Sequence, residues 1–456
     1  MEPVSDELRR LLPDGRVVTD PGVVAGYLRD EAHLVDPGVP ACVVTARSTD
    51  DVVTVLRWAD EHRVPVVPRG GGTGLAGGST ATEGAIVLSL AKMTAIREIS
   101  AADQVAVAEP GVINADLDRA AREHGLMYAP DPSSFEISTI GGNIATNAGG
   151  LRCVKYGVTR DSVLGLEVVL AGGRLLRTGH RTVKGVAGYD LTALFVGSEG
   201  TLGVVTGATL KLRPRPGREP MTAVGTFPTL RAAGEAVAAV VRSGLQPSLL
   251  ELIDRASLRA IDDLAKNGVS EGGAAAMLVA QADGPDAETA VAAMAEAFAA
   301  AGAADAMVST DATEAAQLVE IRRMAFSATE RLGRNLVEDV GVPRSKLPDM
   351  LARIEATAER HDVLIATVAH AGDGNLHPVF IVPFGEPGVP DSVWAAADEV
   401  FGAALELGGT LTGEHGVGAL KRRWLADELG EESMAVHHAI KAALDPNGIL
   451  NPGKAI

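Results

Sequence analysis

His370 and His377 bracket the run His370-Ala371-Gly372-Asp373-Gly374-Asn375-Leu376-His377, and their spacing has a geometric consequence. Asp-Gly between two apolar runs, Val363 to Ala369 and Leu376 to Val382, predicts a hairpin with a two-residue type I′ loop. With Asp373-Gly374 as that loop, Gly372 opposes Asn375, Ala371 opposes Leu376, and His370 opposes His377. Directly opposed residues share a face with Cβ atoms about 5 Å apart, close enough for two imidazoles to hold one cation. Taken alone, the pair reads equally well as two hydrogen-bonded histidines. A later segment, Gly408-Gly409-Thr410-Leu411-Thr412-Gly413-Glu414-His415-Gly416-Val417-Gly418, adds a carboxylate and an imidazole on a backbone with few steric limits. Such a segment can deliver a third ligand and a base. Zinc is the first choice of divalent metal, with manganese or iron next. Two histidines and a carboxylate also describe the iron oxygenase triad, so the ligand types do not name the metal. A closed structural zinc would want a fourth ligand, usually Cys, and no cysteine is nearby.

A second chemistry is written in glycine. Val64-Pro65-Val66-Val67-Pro68-Arg69 runs into Gly70-Gly71-Gly72-Thr73-Gly74-Leu75-Ala76-Gly77-Gly78-Ser79, a loop whose bare amides can wrap a pyrophosphate. Gly72-x-Gly74-x-x-Gly77 also satisfies the dinucleotide fingerprint, which demands a following helix and a second strand within a unit of roughly 30 residues. The next apolar run, Ala85 to Leu90, begins too soon for that crossover. What remains is a glycine loop joining two strands without a helix. A flexible linker would be polar on both sides, whereas this loop is clamped between apolar runs. Ile140-Gly141-Gly142-Asn143-Ile144-Ala145-Thr146-Asn147-Ala148-Gly149-Gly150, preceded by Pro130-Asp131-Pro132-Ser133-Ser134, is a second cluster where small and amide side chains permit close backbone approach. Read without a ligand, it is a set of tight turns.

These residues need elements to hold them. At 456 residues the chain is too long for one ordinary core, so two domains or a domain with a large insertion are expected. A formal net charge of −18 argues against nucleic acid or an anionic membrane as partner. The N-terminus lacks an apolar leader and no run approaches 18 apolar residues, so a soluble cytoplasmic protein is expected. Cys42 and Cys153, far apart in sequence, read as reduced core thiols. Residues 5–35 read as helical, Ala41 to Val44 as a strand, and Thr49-Asp50-Asp51 as a capped helix start. Short strands and glycine turns follow from Val105 to Leu212, with one helix at 114–124. After Pro214-Arg215-Pro216-Gly217 the composition shifts to Ala-rich helices such as Asp286 to Ala301, interleaved with strands near 275–281 and 364–370. A final helix over 431–444 ends the pattern, and the whole reads as α+β.

The glycine loops, together with Phe195-Val196-Gly197-Ser198-Glu199-Gly200-Thr201-Leu202-Gly203-Val204-Val205, resemble the flavin-linked oxidoreductases of the vanillyl-alcohol oxidase type. The similar branch is that of the glycolate oxidase flavin subunit and the D-lactate and D-2-hydroxyglutarate dehydrogenases, and the resemblance covers nearly the whole chain. It implies a PCMH-type FAD-binding domain of two α/β subdomains over residues 1–216. An inserted α+β substrate or cap domain with an antiparallel sheet, over 217–420, would carry the metal site. Residues 421–456 would return to the FAD domain. The resemblance puts FAD against Pro68, Arg69, Gly70, Gly71, Gly72, Thr73, Gly74, Leu75, Gly78 and Ser79. It adds Pro132, Ser133, Gly141, Gly142, Asn143, Thr146, Asn147, Gly149, Gly150, Tyr156, Gly157, Glu199, Gly200, Gly203, Val204, Val205 and Asn451. Relatives with covalent flavin carry a histidine where this chain has Thr73, so non-covalent FAD is expected.

The same resemblance puts metal ligands on His370, His377 and Glu414, and a base on His415. Glu320-Ile321-Arg322-Arg323-Met324-Ala325-Phe326 resembles the segment whose arginine holds the substrate carboxylate, a role for which a guanidinium fork suits and an ammonium does not. Alignment of the Ala-Phe selects Arg322 over Arg323; without the resemblance it would read as a helix-surface arginine. Asn375 joins Arg322 at the substrate. The implied activity is oxidation of a D-2-hydroxy acid (D-lactate, glycolate or D-2-hydroxyglutarate) to the 2-oxo acid, with electrons passing to a quinone, cytochrome or flavoprotein. An oxygen-using oxidase of the same fold and a non-catalytic flavin-binding protein are the alternatives. A homodimer is the default assembly.

Overall fold

The computed structural model describes residues 3–309 and 311–456. Two compact units result: Met1–Gly149, Gly157–Arg215 and Glu414–Ile456 form the first, and Gly150–Tyr156 with Pro216–Gly413 the second. The return to the first unit thus begins at Glu414, earlier than the expected 421. Gly150–Tyr156, expected within the FAD-binding domain, packs with the second unit. Leu151 joins the apolar cluster of Leu249, Ile253 and Val368, and the Lys155 ammonium and Tyr156 hydroxyl both bind the Asp283 carboxylate.

The first unit opens with a four-stranded sheet in the order Val17–Val18, Cys42–Thr45, Ile86–Ser89, Val66–Arg69. The last three strands run parallel. Helix Thr49–His62 connects two of them, burying Val52, Val55, Leu56 and Ala59 at the i, i+3, i+4, i+7 spacing of one helical face. Its cap is Ser48, whose hydroxyl accepts the Asp51 amide, rather than the expected Thr49 or Asp50. The expected helix over 5–35 is instead two short helices, Val4–Leu11 and Pro21–Ala25, flanking the strand Val17–Val18. Pro13-Asp14-Gly15 ends the first, Gly15 turning at φ +76°, and Pro21 at the first position starts the second with Asp20 as its cap. No helix lies between Val66–Arg69 and Ile86–Ser89, so the glycine loop spans two parallel strands by itself.

A five-stranded antiparallel sheet follows, ordered Ile96–Ser100, Val105–Ala108, Val204–Lys211, Val163–Val169, Leu175–Gly179. Leu117 and Ala121 of helix Asn114–Arg122 and Ile140 and Ile144 of helix Ile140–Thr146 close its core. The second glycine cluster is therefore helical in part, with Thr139 as cap, rather than a set of turns. Cys42 is buried, but Cys153 is only half-buried and does not belong to a core.

The second unit is built on an eight-stranded antiparallel sheet. Its order is Asp305–Ser309, Met221–Phe227, Ala276–Ala282, Leu249–Asp254, Ile365–His370, Asn375–Val382, Arg334–Val337, and Val340–Gly341 also pairs with Asn375–Val382. The strands Leu249–Asp254, Ile365–His370 and Asn375–Val382 are buried along their whole length. Polar residues on them are consequently desolvated and must be paired.

Candidate active site

In the first unit, Pro68 and Arg69 end a strand and Gly70 to Ser79 form the connection. Gly70 has a packing reason to be glycine: a Cβ there would lie 2.3 Å from Thr139 Oγ1. The first glycine loop therefore lies against the segment that caps helix Ile140–Thr146. Among the described residues, the amides of Gly70 to Gly78 find no protein acceptor. Four of the loop's carbonyls, all from Gly74 onward, are satisfied: Gly74 O accepts from Glu31 N, Ala76 O from Ala419 N and Leu420 N, Gly77 O from Lys454 Nζ at 2.9 Å, and Gly78 O from Asn451 Nδ2 at 2.9 Å. Asn143, expected at the flavin, is buried with its Nδ2 unpartnered. These unspent donors fit a phosphate-bearing cofactor such as FAD.

The other expected flavin residues divide by what holds them. Gly141, Gly142 and Thr146 lie on helix Ile140–Thr146, and Asn147 ends it at φ +53° while its Oδ1 accepts the Arg160 amide. Glu199 is buried, and its carboxylate accepts the amides of Val417 and Gly418, each at 2.8 Å. Burial pushes it up to about 7 despite those two donors. It thus anchors the segment that begins Glu414-His415. Glu414 also reaches Gly149, where a Cβ would meet its Oε2 at 2.2 Å. Val204 and Val205 place their side chains in apolar cores, leaving only backbone for a ligand. Gly150 and Tyr156 fall in the second unit.

In the second unit the two histidines share a face, but not by the expected register. His370 opposes Asn375, and His377 opposes Val368. The turn is the four residues Ala371 to Gly374: the amides of Asp373 and Gly374 both donate to His370 O. A type I′ turn needs positive φ at both central residues, and of Asp373 and Gly374 only Gly374, at +85°, has it. A Cβ on Gly374 would lie 2.2 Å from Val342 O. The slip is two residues, so side-chain parity survives. The imidazoles become diagonal neighbours with ring centroids 5.0 Å apart and a ring nitrogen of each within 4.8 Å of the other.

Around them lie groups that sequence reasoning missed. Glu251 accepts from His370 Nδ1 at 2.8 Å, which fixes the ring orientation with Nε2 on the side away from Glu251. Asp339, fully buried, lies 3.7 Å from His377 Nδ1 and accepts from Asn375 Nδ2 at 2.6 Å and Thr412 Oγ1 at 2.7 Å. Two adjacent imidazoles beside two buried carboxylates form a donor set that suits a divalent cation. Asn375 gives its other amide proton to Val340 O, leaving its Oδ1 to accept a hydroxyl. Arg322, on helix Ala312–Arg323, is 1% exposed, not on the surface. Its Nε lies 2.8 Å from Glu251 Oε2 with the N–H off the line of contact, so none of its three nitrogens spends a hydrogen bond on protein. The structure thus brings His370, His377, Asn375 and Arg322 into one unit and places Glu414 and His415 in the other. The only sequence signal for Glu251 was a lone acid inside the apolar run Leu249 to Ile253; Asp30, which fixes Ser79 and Thr80, and Lys454 gave none.

Residues 218–455 match the family described as FAD linked oxidases, C-terminal domain, and residues 40–179 match an FAD binding domain. The chain is 47% identical over 420 residues to the glycolate oxidase subunit GlcD of Bacillus subtilis (strain 168), covering 91% of this chain and 89% of that one. It is 39% identical over 418 residues to a D-lactate dehydrogenase of Archaeoglobus fulgidus, covering 91% of each. Among solved structures, p-cresol methylhydroxylase with substrate bound superimposes with a TM-score of 0.79 at 20% identity, over 99% of this chain and 96% of that one, a likeness of fold.

Proposed function

The chain belongs to the FAD-linked oxidases, and from that premise we propose that it oxidises a small D-2-hydroxy acid, of the lactate, glycolate or 2-hydroxyglutarate kind, to the 2-oxo acid. The relatives' names, glycolate oxidase subunit and D-lactate dehydrogenase, support that substrate class. The observation that carries the reading is Arg322: a buried guanidinium whose N–H groups are unspent, ion-paired to the carboxylate that also holds His370. A buried cationic fork of this kind matches a ligand carboxylate. Asn375 Oδ1 orients the substrate hydroxyl, and His415 takes the hydroxyl proton on its imidazole.

The flavin supplies a two-electron acceptor able to take the α-hydrogen as hydride. A divalent ion, zinc first, held by His370, His377 and Glu414, would lower the pKa of the substrate hydroxyl. Thr73 offers no imidazole for a covalent flavin link, so acid precipitation should release all the FAD to the supernatant. The test of the activity is anaerobic mixing with a panel of D- and L-2-hydroxy acids, before and after chelation, following flavin absorbance. Bleaching by a D-acid, lost on chelation and restored by zinc or manganese, is the expected result. Bleaching indifferent to chelator would discard the metal, and no bleaching by any 2-hydroxy acid would refute the substrate class.

A further inference from the structure

We propose that Glu251 is a positioning residue shared by two subsites, fixing the imidazole of His370 for the metal and the guanidinium of Arg322 for the substrate carboxylate. The inference rests on the 2-hydroxy-acid reading above. Leu252 pairs with Ala369 across the antiparallel strands, and the same register carried one residue further sets Glu251 opposite His370. Both Glu251 oxygens lie near His370 Nδ1, at 2.8 and 3.0 Å, and Oε2 is also 2.8 Å from Arg322 Nε. The Glu251 and Arg322 side chains are each 1% exposed, so neither charge has water as an alternative partner.

One carboxylate then does two things. By accepting from Nδ1 it selects the tautomer of His370 whose Nε2 is a lone-pair donor. By balancing Arg322 through ion pairing alone, it holds the cation in a dry site while leaving every guanidinium N–H unspent for a ligand. A residue kept only for stability would have no reason to leave those donors open, since a buried unsatisfied donor is costly. The geometry therefore ties metal affinity and carboxylate affinity to the same side chain.

The test uses the FAD-loaded full-length protein. Zinc affinity is measured by competition with a chromophoric chelator, and pyruvate affinity by perturbation of the flavin spectrum at saturating zinc, so that lost metal does not itself explain lost anion. Glu251→Gln should weaken zinc by roughly 10- to 100-fold, the usual cost of losing a group that orients a ligand, and pyruvate by at least about tenfold. Loss of only one affinity, or of neither, overturns the shared role. A merely structural Glu251 would lower the melting temperature and leave both constants of the folded protein unchanged. Glu251→Asp keeps the charge opposite Arg322, and so the fold, but is one methylene too short to serve both partners. It should show the same joint loss, and full retention of both affinities in this variant also overturns the proposal. Failure of the underlying reading looks different: wild-type protein would then bind zinc and ignore pyruvate.

Discussion

Arg322→Lys isolates the carboxylate contact. Alanine would leave Glu251 as an uncompensated buried charge, costing about 3–5 kcal/mol from a total stability of roughly 5–15, and would confuse folding with binding. Lysine keeps the positive charge opposite Glu251 but replaces the planar fork by a point donor. At least one of two parallel charge-assisted hydrogen bonds to the substrate carboxylate is then lost, at about 1.5–3 kcal/mol. At 1.4 kcal/mol per decade, that is about 10- to 150-fold in the second-order constant for flavin reduction. The assay is anaerobic rapid mixing with D-lactate over a concentration series, with lactamide as a neutral control lacking the carboxylate. The variant should require far more D-lactate for half-saturation while its slow reaction with lactamide is unchanged. A half-saturation within threefold of wild type, or an equal loss with lactamide, would refute a carboxylate-binding role for Arg322.

Three further outcomes are expected. Gly70→Ala drives a methyl to 2.3 Å from Thr139 Oγ1, an overpacking of about 1–3 kcal/mol, and should lower the flavin content of purified protein; full occupancy by absorbance ratio would count against the loop as the cofactor cradle. His415→Ala should slow flavin reduction far more than it weakens FAD binding, and an unchanged reduction rate removes it as the base. Glu199 is raised from 4.5 to about 7, so the folded state binds its proton more tightly than the unfolded chain does. That contribution, about 3 kcal/mol, is complete below pH 4.5 and lost as pH rises towards 7. Glu199→Gln should therefore flatten the fall in urea stability between pH 5 and 7, and identical slopes for the two proteins would show that the carboxyl does not titrate there.

What the sequence disclosed follows from the range of the interactions involved. A glycine loop is a backbone device, so it is visible in composition alone, and the strand–loop–strand form without a helix followed from counting residues to Ala85. The hairpin was read with the wrong turn, yet the two histidines share a face. Facing depends on parity, which a two-residue slip preserves, whereas turn length depends on Val342, which accepts no Cβ at Gly374 and is remote in sequence. Glu251, Asp339 and Asp30 were hidden because each acts through partners scores of residues away: Glu251 is 119 positions from His370 and Asp30 is 49 from Ser79. Arg322 shows the same limit from the other side. Its helix carries charges on several faces, and only the tertiary structure shows that this one is buried.

The polarity of the glycine loop depends on the C-terminal segment. A bare loop offers as many acceptors as donors, so glycines alone do not select an anion. Here the carbonyls of Gly74, Ala76, Gly77 and Gly78 are capped by Glu31, Ala419, Leu420, Lys454 and Asn451, while the amides of the same stretch are left unspent. Burial pulls the Lys454 ammonium down from its ordinary range, with Asp30 and Glu199 holding it up, so its charge is spent within the protein and the capping bonds are what it contributes. Capping these acceptors while the amides stay unspent leaves this part of the loop with a surplus of donors, the polarity an anion would require. That is a reason for a chain whose second unit interrupts the first to bring residues 419–454 back to the glycine loop: they cap the carbonyls of Ala76, Gly77 and Gly78.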